Sequence, residues 1–304
     1  MDESYVFFNG KIVPEKEVSI SIRSKVVNYG LACFEGIRAY WDEAGQQLYG
    51  FRFKEHYERL LQSCKALYID IPYTVSELSD ITAELLRRNG FRTTVYIRPL
   101  AYKGGEGLNP TLLDDDNRLL IYCQPLGNFS GKQEMRVAFT SWQRLRDNML
   151  PPRTKASAAY LNSALASLEV LRNGFDEALF LTDNGNVCEG PGENIFMVKK
   201  GKLVTPPPSD NILEGITRET IITLAKEEFG MEVVERSIPR NELFSAQEVF
   251  FSGTAMEVMP IVEVDRRTIG AGRPGDICTK LKSLFFEITV GKNPKYAGFC
   301  TPVY

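Results

Sequence analysis

The chain has 304 residues, 43% of them hydrophobic and 25% charged, with 24 Gly and 16 Pro; this is a globular composition and excludes a disordered, collagenous or coiled-coil chain. At that length a compact form buries roughly 74% of its extended surface, enough for two domains of about 150 residues each. Its 36 Lys and Arg against 39 Asp and Glu leave a formal charge of −3, so there is no basic field to hold a nucleic-acid backbone or an anionic membrane.

In chain order, Tyr5–Phe8 and Lys11–Val13 read as a hairpin about Asn9-Gly10, since Asn-Gly supplies the positive φ angles of a type I′ turn. Strands are expected over Phe34–Tyr40 and Gln47–Phe53, and a helix over Lys54–Leu67. Thr74 with Glu77 forms a capping box that opens a helix running to Asn89, stopped by Gly90. Thr93–Leu100 and Arg118–Gln124 are strand-like, the second apolar enough to suggest burial on both faces. The aperiodic run PLGNFSGKQE, residues 125–134, separates an expected small N-terminal domain (1–124) from a larger C-terminal one (135–304). The second half opens with a strand, Met135–Thr140, and a helix from about Ala156 to Arg172 with Leu161, Leu165, Leu168 and Leu171 on one stripe. A hairpin over Phe180–Cys188, paired strands Asn194–Val198 and Lys202–Thr205, a helix Ile216–Phe229, strands Glu248–Ser252 and Ile261–Asp265 and a helix Asp276–Thr289 complete it. Hairpin-joined strands with helices beside them predict an α+β protein of two lobes.

The longest apolar run, Leu119–Cys123, is far short of the roughly 18 residues of a membrane span, and Met-Asp-Glu-Ser lacks a cationic signal segment, so a cytoplasmic protein is expected. The six cysteines lie no closer than 22 positions apart, which fits neither a C-x-x-C pair nor a disulfide scaffold. With His56 the single histidine, a two-histidine zinc site is excluded and proton transfer falls to Lys, Tyr, Glu or Asp.

Lys155 precedes a helical pattern in which Ala156 to Leu168 carry no charge, and a cation near the positive end of a helix loses its proton more easily, as a Schiff-base lysine requires. A solvated first-turn lysine fits the same pattern. Glu189 opens EGPGEN, whose Gly190 and Gly192 let the backbone approach a planar ligand, and Gly215-Ile216-Thr217-Arg218 leads into a helix whose amides could seat a phosphate, with Arg59 as a clamp. Ser252-Gly253-Thr254-Ala255 ends a strand in a tight turn offering a hydroxyl and amides to a carboxylate. The fingerprint Gly270-Ala271-Gly272-Arg273-Pro274-Gly275 is rejected as a nucleotide site, because only 29 residues follow it and Pro274 removes an amide.

Taken in order, FEGIR (34–38), HYERL (56–60), YIRPL (96–100), Lys155 with Tyr160 five residues on, EGPGEN and LEGITRE resemble the fold-type IV pyridoxal-phosphate enzymes, and within them the branched-chain amino acid aminotransferases, over nearly the whole chain. The resemblance implies a smaller N-terminal α/β lobe and a larger, β-barrel-like C-terminal lobe with helices. It implies pyridoxal 5'-phosphate as cofactor, held by Lys155, by Glu189 at the pyridine nitrogen, by Tyr160 at the ring hydroxyl, and by Arg59, Ile216, Thr217 and Thr254 at the phosphate. Lys155 would be both covalent anchor and base. Tyr29, Phe34, Gly36, Tyr96, Arg98 and Leu108 would line the substrate pocket, with Thr254 and Ala255 taking the α-carboxylate. The implied reaction converts Leu, Ile or Val and 2-oxoglutarate into branched-chain 2-oxo acids and L-glutamate, in a homodimer whose loop carrying Leu108 reaches the neighbouring site. A D-amino acid or (R)-amine transaminase, or an aminodeoxychorismate lyase, of the same fold is the alternative. Two departures bear on the acceptor: Leu126 and Phe129 stand where bacterial members place a Trp and a Tyr, and the loop Lys103–Asn109 is about two residues shorter.

Overall fold

Tyr5–Phe8 (β1) and Lys11–Pro14 (β2) pair across Asn9 and Gly10, which take φ angles of 47° and 93°. The computed structural model describes residues 4–304. A short helix, Lys25–Tyr29 (α1), ends at Gly30 in the left-handed conformation; five residues leave no periodic signal, and the sequence reading has no counterpart for it. The strand expected over 34–40 is two, Ala32–Phe34 (β3) and Ile37–Asp42 (β4), broken at Glu35-Gly36. Gln47–Phe51 (β5), Phe53–Ala66 (α2), Val75–Asn89 (α3), Val95–Lys103 (β6) and Asn117–Pro125 (β7) follow close to expectation. The capping box forms in full: Glu77 N–H donates to Thr74 Oγ1 and Thr74 N–H to the Glu77 carboxylate. β7 is not buried on both faces. Leu119 and Ile121 are buried while Leu120 and Tyr122 are half-exposed, the alternation of an antiparallel strand with one face on a core.

The remaining elements are Met135–Gln143 (β8), Tyr160–Arg172 (α4), Glu177–Leu181 (β9), Asn194–Lys199 (β10), Lys202–Thr205 (β11), Ile216–Glu227 (α5), Val233–Glu235 (β12), Glu248–Gly253 (β13), Glu257–Val264 (β14), Arg267–Thr268 (β15), Asp276–Thr289 (α6) and Cys300–Pro302 (β16). The leucine stripe expected to pack α4 faces outward instead, with Leu161, Leu168 and Leu171 at 68%, 47% and 56% exposure. The buried face is Ser163, Ala166 and Val170, whose small side chains let the helix lie close on β8 and β9.

By internal contacts the chain divides into two units of similar length: residues up to Gly127 with Thr154–Ala158 and Glu287–Tyr304, and Asn128–Arg153 with Ala159–Phe286. The division after Gly127 falls inside the expected 125–134 loop, but the domain expected to run unbroken over 135–304 gives up two segments. The reason is strand pairing. β16 adds to β5 through Cys300 and Phe51, Val303 enters the first core, and Ala156 bridges to Cys33.

The first unit's sheet runs β16-β5-β4-β6-β7-β1-β2 with β3 on β6, antiparallel throughout, over a core shared with α2 and α3. The second unit's sheet runs β12-β11-β10-β13-β14-β8-β9 with β15 on β14. Here β8 and β9, and β11 and β12, are parallel neighbours, which requires the crossovers that α4 and α5 supply.

Candidate active site

The predicted residues fall into two groups, each built within its own unit. In the first, Lys155 is held by its backbone: its carbonyl accepts from Phe34 N–H at 3.1 Å and its N–H donates to Ser63 Oγ at 3.2 Å. Its Nζ lies 5.2 Å from the Phe34 ring centroid. The helix expected from about Ala156 begins only at Tyr160, after a 310 turn Ser157–Ala159. The Arg98 guanidinium stacks 4.1 Å from the Phe34 ring and donates to Tyr96 Oη at 2.6 Å. Gly36 is the residue that tolerates this phenol, because a Cβ there would lie 2.2 Å from Tyr96 Oη. Tyr29 Oη donates to Leu108 O at 2.5 Å, while the Leu108 side chain is 90% exposed. Leu126 is half-buried, its N–H on Thr94 O at 3.0 Å.

Arg59, expected as a phosphate clamp, lies on α2 and forks onto Glu35, Nε to Oε1 at 2.7 Å and Nη2 to Oε2 at 2.8 Å. His56, one turn earlier, places Nδ1 2.7 Å from Glu35 Oε2. Glu35 is fully buried; burial alone would raise its pKa, but the Arg59 charge and the hydrogen bonds from both partners hold it well below the usual carboxylate range. Burial lowers the pKa of His56 against the pull of that carboxylate, so a neutral ring donates from Nδ1. Glu35 stands inside FEGIR, where no motif assigns it a role. A carboxylate ending the apolar run Ala32-Cys33-Phe34 is the signal available, because a charge there requires a buried cation.

In the second group Glu189 is 2% exposed. Its Oε2 accepts from Asn194 Nδ2 at 3.0 Å and Leu213 N–H at 3.1 Å, and its Oε1 lies 2.7 Å from Arg144 Nη2. Arg144 had no place in the sequence reading. It donates to Ser163 Oγ at 3.2 Å and its guanidinium lies 5.1 Å from the Phe180 centroid. Burial works against its charge, yet the Glu189 carboxylate, with smaller contributions from Cys188 and the Tyr160 phenol, keeps its pKa above the ordinary value.

Asn194 also sets the start of α5: a Cβ on Gly215 would meet Asn194 Oδ1 at 2.1 Å, so only glycine lets the helix approach. Ile216 and Thr217 are buried in its first turn, and the N-cap residue is Gly215. The β13–β14 turn carries half-buried Thr254 and Ala255, with Gly253 packed against Gly192 O; beside it Ser252 Oγ is buried and has no hydrogen-bond partner among the described residues. Phe129 is 55% exposed, so nothing in its own unit encloses it. The rejected fingerprint leads to α6, where the Glu248 carboxylate accepts from Ile277 and Cys278 N–H at 3.0 and 2.8 Å, filling the place a pyrophosphate would need. Among the described residues, no cluster of three His, Cys, Asp or Glu could hold a metal, and no helix is long and apolar enough to cross a membrane.

The model of the amino-transferase class IV family matches residues 32–264, and the chain belongs to that family. Within it, the chain is 48% identical over 301 residues to the probable branched-chain-amino-acid aminotransferase of Aquifex aeolicus, covering 99% of this chain and 97% of the relative. Among solved structures it is similar to the branched-chain aminotransferase of the thermophilic archaeon Thermoproteus uzoniensis with norvaline, at TM-score 0.95 and 43% identity, covering 99% of this chain and all of the other. It is also similar to the branched-chain amino acid aminotransferase of Thermobaculum terrenum in its PLP-bound holo form, at TM-score 0.95 and 39% identity, covering 99% of each chain.

Proposed function

We propose that the protein is a pyridoxal-phosphate-dependent transaminase that exchanges the amino group of branched-chain L-amino acids with 2-oxoglutarate. The observation that carries this reading is Glu189, a buried carboxylate that Asn194, Leu213 N–H and Arg144 hold beside the glycine-led start of α5. An anion fixed in this way suits a protonated pyridine nitrogen, and amides at a helix start with an unpartnered hydroxyl at Ser252 suit a phosphate, so the residues present fit the cofactor. The relatives named above, one of them solved in its PLP form, support the same chemistry.

When bound, pyridoxal phosphate supplies an aldehyde carbon for the amine and a ring that draws electrons from the substrate Cα. Lys155 would hold the cofactor's aldehyde carbon through Nζ, and the same amine would serve as the base that moves the substrate's Cα proton. Glu189 would face the ring nitrogen and favour a proton there, with Arg144 at 2.7 Å holding the carboxylate in place. Tyr160 would donate to the ring hydroxyl. Arg59, the amides of Ile216 and Thr217, and Thr254 would hold the phosphate. Phe34, Gly36, Tyr96 and Arg98 shape the side-chain pocket, with Tyr29, Leu108, Leu126 and Phe129 bordering it, and Thr254 and Ala255 receive the α-carboxylate. The proposal includes a homodimer in which Leu108 serves the neighbouring copy, a state that light scattering reads, and a cytoplasmic location.

The test is a panel of amino donors against 2-oxoglutarate. L-Leu, L-Ile and L-Val should give glutamate, and borohydride reduction should leave a pyridoxyl adduct on the peptide bearing Lys155, absent from Lys155→Ala. Turnover of D-alanine or (R)-1-phenylethylamine in place of the L-amino acids overturns the substrate assignment. A protein that takes up no cofactor overturns the whole reading.

A further inference from the structure

Arg59 offers the cofactor phosphate a long, rotamer-rich side chain, and something must hold it in place before the ligand arrives. Glu35 does this from the break between β3 and β4. Its carboxylate grips Nε and Nη2 of Arg59 in a two-point fork at 2.7 and 2.8 Å, and His56 Nδ1 takes up a further lone pair of Oε2 at 2.7 Å. The backbone of Glu35 is tied separately, its N–H on Pro99 O at 2.9 Å, so the strand break does not depend on the acid. The carboxylate is fully buried and Arg59 only 12% exposed. Removing two charges from water costs more than their attraction returns unless the geometry is tight, and here the fork and the imidazole supply that geometry.

We propose that Glu35 is the positioning residue of the phosphate clamp: it fixes the guanidinium plane of Arg59 in advance, with His56 fixing Glu35 in turn. The proposal rests on the assignment of Arg59 to the cofactor phosphate. Two effects of Glu35 on phosphate binding oppose each other. Its negative charge offsets that of Arg59 and on its own weakens a bound dianion, whereas its fork removes the freedom that Arg59 would otherwise lose on binding. The proposal holds that orientation wins, so removing the charge should weaken binding although it leaves the site more positive.

The experiment measures the affinity of the full-length apoprotein for pyridoxal 5'-phosphate and for pyridoxal, which has the aldehyde but no phosphate, from the absorbance change on mixing, for the wild type and Glu35→Gln. The expected result is a loss of about 10- to 100-fold for pyridoxal phosphate, on the scale found when the outer partner of a metal ligand is removed, with pyridoxal affinity within about twofold of wild type. An equal loss for both ligands marks Glu35 as structural only, and an unchanged or tightened pyridoxal phosphate affinity shows that charge outweighs orientation; either overturns the proposal. If Glu35→Gln does not fold, Glu35→Asp keeps the charge but shortens the reach, and the same split between the two ligands decides. A wild-type apoprotein that binds pyridoxal phosphate no better than pyridoxal would instead remove Arg59 from the phosphate site.

Discussion

Arg144 Nη2 lies 2.7 Å from Glu189 Oε1, and the two side chains are 12% and 3% exposed, which makes this a buried pair with an aromatic floor in Phe180. Removing one member of such a pair leaves an uncompensated charge, at a cost of about 3–5 kcal/mol. Arg144→Met should therefore lower the unfolding free energy by about that amount in a denaturant titration. Arg144→Met combined with Glu189→Gln, which keeps an acceptor for Asn194 Nδ2 and Leu213 N–H, should recover most of the stability and little of the transamination. A single variant as stable as wild type would show that the pair contributes little.

Gly36 sits where a methyl group would meet the Tyr96 phenol at 2.2 Å. In Gly36→Ala that phenol must move and Arg98 loses its 2.6 Å acceptor. A hydrogen bond to a charged group contributes about 1.5–3 kcal/mol, so the KM for L-leucine should rise about tenfold or more while kcat changes less. Initial-rate kinetics decide, and an unchanged KM would place the Tyr96–Arg98 pair outside the substrate pocket.

Thr74 caps α3 through both bonds of the capping box. Thr74→Ala should destabilise the protein by about 1 kcal/mol in urea unfolding and leave kcat untouched.

Acid should destabilise the second unit through Glu242. The Arg236 fork at 2.7 and 2.8 Å, joined by Lys199 at 2.8 Å, draws its pKa down to about 2 from the ordinary 4.5. A carboxyl group whose pKa falls on folding contributes stability above its unfolded value and loses it as the pH drops toward the folded value. Melting temperature should therefore fall between about pH 4.5 and 2, and less steeply in Glu242→Gln. Parallel slopes for the two proteins would rule this out.

Features encoded by near neighbours were legible in the sequence. Asn9-Gly10 specified its hairpin and Thr74 with Glu77 its helix start, because the residues that decide such turns and caps stand within three positions of each other. The period of α4 was legible but its inward face was not, since the leucines obey helical spacing as well as Ser163, Ala166 and Val170 do, and only the tertiary partner distinguishes the two stripes. Lys155, Glu189 and Arg59 stood out through their motifs. Glu35 and Arg144 did not, because what makes them matter is a partner 24 and 45 positions away, brought close by the fold. β16 is a three-residue strand whose partner, β5, lies near the other end of the chain, a pairing no local pattern announces.

That last pairing has a consequence for synthesis. Translation delivers β5 before β16, so on the ribosome β5 waits unpaired along its outer side while residues 159–286 are made. An unpaired border invites association between nascent chains; the brevity of β5, five residues from Gln47 to Phe51, limits that hazard until β16 pairs with it and leaves an edge strand of three residues, Cys300–Pro302.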